Sequence, residues 1–195
     1  MVTGTALPVR HVGSVDVFLE ALERVGADAA GRVLVVDNEG RDDEACVGDL
    51  VTLECLKAGV AAIAIFGRHR DTAELRRIGL PVFSLGALPA GPRRDDPRPP
   101  DAFDRARFGE IEVTVDDTVF ADDDGLVVVG SADLAAVVET ATSIVETERA
   151  QADRARAGVS LREQFGFAGY LAARTADPTL TFRRHLRERQ ASIEE

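Results

Sequence analysis

Four residues in the first half of the chain have the types and spacing to handle a small acid: Asp49, Arg70, Asp71 and Glu74. Twenty residues separate Asp49 from Arg70, and two separate Asp71 from Glu74. An arginine holds a carboxylate in a bidentate fork, and a carboxylate beside it recruits a hard divalent cation. Asp49 stands in "VGDLV" and the Arg70–Asp71 pair in "GRHRD", each where a helical pattern begins. Helix starts leave backbone N–H groups unpaired at the positive end of the dipole, so Gly48, Asp49, Leu50 and Val51 could receive an anion. Gly48 would let that anion approach the backbone closely. Together these parts would bind an anionic oxo-acid and stabilise an enolate.

The same residues have a plainer account. Asp71-Thr72-Ala73-Glu74 has the spacing of a capping box, Asp49 could cap its own helix, and Arg70 could be an exposed partner of Glu74. Caps are commoner than sites, so these residues alone favour the plainer account. Only one of the neighbours His69 and Arg70 would face a site, and Arg70 is the one expected there.

The elements that must position them are legible in outline. "VLVVD" (33–37) is a short β-branched run expected to be a buried strand. A polar loop, "NEGRDDEACVG", leads to the helical pattern "DLVTLECLKAG", where Leu50, Leu53 and Leu56 recur at three-residue spacing and Gly59 closes the helix. "VAAIAIF" is the next strand, "TAELRRIG" a second helix and "PVFSLG" a third strand. This βαβαβ run predicts parallel strands joined by right-handed crossovers. Residues 87–105 carry five prolines and much charge and read as a long surface connection. From 110 the pattern turns to β: "EIEVTV" alternates, and "DTVFADDDGLVVVG" reads as strand, turn, strand. The Asp122-Asp123-Asp124-Gly125 run lacks the rest of a calcium loop and is expected to be a solvated turn. A long helix follows from Ser131, its early part apolar enough to pack and its later part nearly all polar and expected to extend from the body. The expected division is an α/β domain over 1–165 and an arginine-rich tail over 166–195 that contacts a subunit or is partly disordered.

Composition narrows the chemistry. The net charge of −11 repels phosphate backbones, so direct nucleic-acid binding is disfavoured, while a basic protein partner is compatible. Lys57 is the only lysine and sits near a helix end, which argues against Schiff-base catalysis. Three scattered histidines make no zinc pattern. No glycine-rich methyl-donor fingerprint follows the first expected strand. Two cysteines outside any CxxC spacing, and no apolar run long enough to span a bilayer, make a cytoplasmic protein the expectation.

The spacing from Asp49 to Glu74 resembles the signature of the RraA-like family, which includes the regulator of ribonuclease activity A and the class II 4-hydroxy-4-methyl-2-oxoglutarate aldolases. The context agrees over roughly residues 5–165: "RVLVVDNEG", "GDLVTLECLKAGVAAIAIFGRHRDTAELRRIGLPVFSLG" and "VTVDDTVFADDDGLVVV". The resemblance implies a swivelling β/β/α-type α/β fold, with a parallel βαβαβ core, a β-rich segment and a long C-terminal helix. It implies a homo-oligomer, a trimer or a dimer of trimers. It implies a lyase of pyruvate-derived 2-oxo acids dependent on Mg²⁺ or Mn²⁺, acting by retro-aldol cleavage or oxaloacetate decarboxylation. In that branch Arg70 would grip the pyruvyl group and stabilise the enolate, and Asp71 would hold the metal largely through water. The N–H groups of Gly48, Leu50 and Val51 would receive the substrate carboxylate, Asp49 would orient or deprotonate a water, and Glu74 would stand behind these groups. The other branch implies a non-catalytic regulator of a ribonuclease or RNA helicase. Three features depart from the family pattern: relatives carry a helical segment ahead of "GTALPVRH", a smaller or apolar residue where His69 stands, and a less charged 87–105 segment.

Overall fold

The computed structural model describes residues 1–188, which fall into two compact units, Met1–Leu134 and a second from Ala135 onward. Residues 189–195 of the expected tail lie outside the described residues.

The first unit opens with β1 (Val2–Arg10), α1 (Asp16–Val25), β2 (Val33–Asp37), β3 (Ala45–Val47), α2 (Asp49–Lys57), β4 (Ala62–Phe66) and β5 (Arg68–His69). It continues through α3 (Thr72–Ile78), β6 (Val82–Phe83), β7 (Arg105–Phe108), β8 (Ile111–Thr114), β9 (Thr118–Asp122) and β10 (Gly125–Val129). Six strands make one sheet in the order β10-β9-β1-β2-β4-β6. β1 is long enough to pair twice: Val2–Thr5 run antiparallel to β9, and Ala6–Arg10 run parallel to β2. One strand thus carries the sheet from an antiparallel half to the expected parallel half.

The central strands read as unbroken apolar runs because both faces are covered. Leu34, Val36, Ile63 and Ile65 join Phe18, Val51 and Cys55 in the core under the helices. Val33, Val35, Ala62 and Ala64 face the other way, where Ala106 and Val113 of the β7–β8 hairpin pack on them. Alanines on that face let the hairpin approach closely. The resulting order, hairpin on sheet on helices, is the β/β/α layering that the resemblance implies.

Three expectations are corrected. The Leu50/Leu53/Leu56 row of α2 does not face the core: these leucines are 75%, 46% and 45% exposed, whereas Val51, Thr52 and Cys55 are buried. Spacing of three drifts around a helix, and the face that packs on α1 and the sheet is the one carrying Val51 and Cys55. The polar loop before α2 holds the buried strand β3. The 87–105 segment is more than a surface connection: the Leu88 N–H bonds the His69 carbonyl, Arg94 pins the middle into the body, and Ala102 is buried with its carbonyl taken by the Arg10 N–H. The aspartate run at 122–125 is a turn in which Asp122 accepts the Asp124 N–H (3.0 Å).

In the second unit α4 spans Leu134–Arg156, followed by α5 (Leu161–Gln164), α6 (Phe167–Ala176) and α7 (Phe182–Glu188). Ser160 and Glu163 form a reciprocal capping box at α5. Phe167, Tyr170 and Phe182 cluster edge-on and tilted, and the His185 Nε2–H donates to the Phe165 carbonyl (3.0 Å). Along α4 the expected burial is inverted: Val137, Val138, Ile144 and Val145 are exposed, and Gln151 in the polar half is buried. Among the described residues, no helix is long and apolar enough to cross a membrane.

Candidate active site

Two short strands join what the sequence separates. β3 and β5 run parallel, with Ala45 opposite Arg68 and Val47 opposite His69, and the Arg70 N–H donates to the Val47 carbonyl (2.9 Å). The chain leaving β3 enters α2 through Gly48, and the chain leaving β5 enters α3 through Arg70 and Asp71, so both helix starts lie side by side. The Arg70 Nε stands 3.3 Å from Asp71 Oδ2, and the Asp49 N–H leans toward the same oxygen at 3.4 Å. Both side chains remain open to solvent, 44% and 38% exposed.

Asp71 occupies the cap position of α3 but does not cap it. Its backbone is left-handed (φ 60°, ψ 35°), and no side-chain cap hydrogen bond forms. Aspartate tolerates that region better than most residues, at a cost. The conformation turns the carboxylate away from its own helix and toward the start of α2. Gly48 makes the space: a Cβ there would lie 2.8 Å from Arg70 Nε and closer still to Asp71 Oδ2. Asp49 Oδ1 accepts the Leu50 N–H (2.7 Å), and the first rung of the α2 ladder is Thr52 N–H to the Gly48 carbonyl (3.1 Å). The N–H groups of Asp49, Leu50 and Val51 therefore precede the helix's own ladder.

Of the residues singled out from sequence, Gly48, Asp49, Arg70 and Asp71 come together, with the backbone of Leu50 and Val51. The Leu50 side chain points outward. Glu74 is not brought to them: its carboxylate takes Arg77. The Arg70–Glu74 pair and the Asp71–Glu74 capping box of the plainer account are both absent. His69 turns the other way, with Nδ1 2.7 Å from Ser84 Oγ and Nε2 2.9 Å from Thr72 Oγ1. Burial, and then the Arg76 charge, push its pKa down.

The resemblance puts part of the pocket wall in the 87–105 connection, but the sequence did not single out which of its residues build it. A Cβ on Gly91 would lie 2.5 Å from Arg70 Nη1, so the connection from β6 to β7 closes over the arginine. That connection is held by the Ala45 N–H to Ala90 carbonyl bond (2.7 Å) and by Arg94. Arg94 donates through Nε to Glu44 (2.9 Å), and through Nη2 to Asn38 Oδ1 (2.9 Å) and the His11 carbonyl (3.0 Å). His11, Asn38 and Glu44 are all buried. Nothing distinguishes Arg94 from Arg93 or Arg98 in "GPRRDDPRPP"; only the fold does.

Other nucleophiles are inert. Burial pushes the Cys46 and Cys55 thiols up to about 12, which leaves them protonated at neutral pH. Among the described residues, no group of three or more His, Cys, Asp or Glu converges on one point.

A β/β/α-layered α/β protein with an arginine–aspartate pair packed against a helix start is the class these observations define. The chain belongs to the RraA-like family: the Aldolase/RraA family model matches residues 1–128. A protein of Alcanivorax borkumensis provisionally named 4-hydroxy-4-methyl-2-oxoglutarate aldolase is 30% identical over 105 residues, which cover 54% of this chain and 64% of that relative's length. Among solved structures, Streptomyces coelicolor RraAS2, titled an unusual member of the RNase ES inhibitor RraA protein family, is 29% identical with a TM-score of 0.64, covering 78% of each chain. A Geobacillus kaustophilus protein titled S-adenosylmethionine: 2-dimethylmenaquinone methyltransferase is 30% identical with a TM-score of 0.59, over 69% of this chain and 80% of that one.

Proposed function

We propose that the chain is a divalent-metal-dependent lyase of pyruvate-derived 2-oxo acids, cleaving 4-hydroxy-4-methyl-2-oxoglutarate-like substrates or decarboxylating oxaloacetate. The observation that carries this reading is the left-handed Asp71, whose carboxylate leaves its own helix to stand beside Arg70 and the start of α2. A capping residue has no need of that conformation; a site residue does.

The donor set suits Mg²⁺ or Mn²⁺. Mg²⁺ binds through one or two carboxylates and keeps several waters, and Asp71 offers one half-exposed hard oxygen with Asp49 adjacent. Asp71 would hold the ion largely through water. When bound, it supplies Lewis-acid polarisation of the 2-oxo oxygen.

The chain's own residues account for the remaining steps. The Arg70 fork takes the pyruvyl carboxylate and the charge growing on the 2-oxo oxygen. Backbone N–H groups at Gly48 and Val51, joined by that of Leu50 once Asp49 Oδ1 releases it, orient the carboxylate. In decarboxylation the C3–C4 bond breaks, CO₂ leaves, and the electron pair passes to the enolate that Arg70 stabilises. In retro-aldol cleavage a water deprotonated by Asp49 takes the C4 hydroxyl proton, the same bond breaks, and a second carbonyl compound leaves. Protonation of the enolate at C3 then yields pyruvate. The absence of any lysine but Lys57 is in keeping with enolate stabilisation without a Schiff base. The active form is a trimer or a dimer of trimers in the cytoplasm.

A second reading, a regulator that binds a ribonuclease or RNA helicase, is favoured by the likeness to RraAS2 and by the acidic charge. Methyl transfer is not carried over: β2 leads into Asn38-Glu39-Gly40-Arg41, with one glycine, whose Cα side is covered by Phe66.

The test is pyruvate release from oxaloacetate with Mg²⁺ or Mn²⁺, with a chelator, and with Arg70→Ala, corrected for decarboxylation by the metal alone. Metal-dependent turnover lost in the variant is the expected result. No turnover from folded, oligomeric protein would refute the lyase reading and direct attention to a protein partner.

A further inference from the structure

Asp71 is left-handed (φ 60°, ψ 35°), and a residue other than glycine keeps that conformation only where its surroundings over-determine it. The surroundings here are fixed one residue at a time. His69, in β5, is bonded through its backbone on both sides: its N–H donates to the Gly86 carbonyl (3.1 Å), and its carbonyl accepts the Leu88 N–H (2.8 Å). The Arg70 N–H is held by the Val47 carbonyl. After the turn, the Asp71 carbonyl accepts the N–H groups of Glu74 (2.8 Å) and Leu75 (3.0 Å), which starts the α3 ladder. One side chain spans the turn itself. His69 Nε2 stands 2.9 Å from Thr72 Oγ1, on the far side of Arg70 and Asp71 in the chain. His69 Nδ1 stands 2.7 Å from Ser84 Oγ, to which the Gly86 N–H also donates (3.1 Å). A hydroxyl can donate or accept, so both ring nitrogens are satisfied in either tautomer of the neutral ring.

Resting on the reading of Asp71 as the metal-holding carboxylate, we propose that His69 is a positioning residue: it clamps Thr72 against Ser84 and so holds Asp71 in the left-handed turn that brings its carboxylate to the start of α2. The imidazole closes a ring across residues 69–72. A return of Asp71 to right-handed or extended backbone redirects the chain between the two anchors and carries Thr72 Oγ1 out of hydrogen-bond reach of Nε2. The bond therefore belongs to the left-handed state, and its free energy adds to that state's population. Asp71 Oδ2 is where Arg70 Nε (3.3 Å) and the Asp49 N–H (3.4 Å) converge, so a turn that relaxes loses their meeting point. His69 acts through the backbone of the turn, as a group behind a metal ligand does.

The test is Mn²⁺ binding to the full chain, without substrate, read from the electron paramagnetic resonance signal of the free ion in wild type, Thr72→Val, Thr72→Ser and Asp71→Asn. Valine keeps the shape of threonine and removes the hydroxyl; serine keeps the hydroxyl. Asp71→Asn is expected to abolish binding. Thr72→Val should weaken it by about 10-fold, the scale on which groups supporting a metal ligand act, and Thr72→Ser should bind as wild type does. A bond that only stabilises the fold would lower the urea midpoint of Thr72→Val and leave the Mn²⁺ affinity of the folded protein unchanged. That outcome, or equal weakening in Thr72→Ser, would overturn the clamp and leave the reading of Asp71 standing. Mn²⁺ that fails to bind wild type, or binds equally to Asp71→Asn, would overturn the reading of Asp71 and the clamp with it.

Discussion

Gly48→Ala isolates the packing of the site from the stability of the fold. The backbone at Gly48 is extended (φ −131°, ψ −164°), a conformation open to any residue, so the substitution introduces no dihedral strain. At a helix N-cap, alanine is worse than glycine by about 0.5–1 kcal/mol, partly offset by the smaller freedom of the unfolded chain. The new methyl group would stand 2.8 Å from Arg70 Nε and 3.1 Å from Arg70 Cγ, nearer still to Asp71 Oδ2. Both side chains are half-exposed and free to retreat, so the clash is relieved by moving the pair by several tenths of an ångström to about 1 Å, within a ~3.5–4 Å contact distance. A misplacement of about 1 Å at a reacting centre costs on the order of 100-fold in rate, about 2.7 kcal/mol of barrier. The expected outcome is therefore a roughly 100-fold fall in kcat/KM for oxaloacetate, read by coupling pyruvate to lactate dehydrogenase, with a urea midpoint close to wild type. Activity within about threefold of wild type in folded Gly48→Ala would show that the Arg70–Asp71 geometry does not govern the chemistry.

Other substitutions test the frame. Arg94→Ala leaves Glu44, 5% exposed at its side chain, without its closest cation, and should cost about 3 kcal/mol in urea unfolding; a loss below about 1 kcal/mol would show that Arg41 and His11 suffice to hold that carboxylate. His11 is buried among Asn38, Glu44, Arg94 and the ring of Phe18, and desolvation, the largest influence, lowers its pKa. Because the folded protein resists protonating it, the unfolded chain binds more protons below about pH 6.5, and stability should fall as pH drops from there toward the lowered folded value. His11→Gln should flatten that part of the stability–pH curve; an unchanged slope would assign the effect elsewhere. On α2, Leu50→Ala should change stability by less than about 0.5 kcal/mol while Val51→Ala costs roughly 2 kcal/mol, the reverse of what the leucine row alone implies, and urea melts of the two variants decide it.

The strands and helices of the parallel βαβαβ run were legible because they rest on local signals, and the layering came with the family likeness. Continuous apolar runs at 33–36 and 60–66, helix stops at Gly59 and Gly79, and the turn at Asp122–Gly125 each reflect a short-range preference of the backbone. The spacing of Asp49 and Arg70–Asp71 was legible too, since both follow strands that a parallel sheet must bring together. Whether those residues cap helices or form a site was not. Capping and ligand binding call for the same residue types at the same helix starts, and the left-handed turn of Asp71 is set by the β3–β5 pairing, which a window of local sequence does not contain. The outward leucines of α2 and the buried Arg94, His11, Asn38 and Glu44 likewise depend on which surfaces meet. A leucine is exposed, or an arginine enclosed, according to contacts with segments up to 83 residues away along the chain. Sequence specified the strands, the helix starts and the chemistry available at them; tertiary packing alone decided which of those groups face one another.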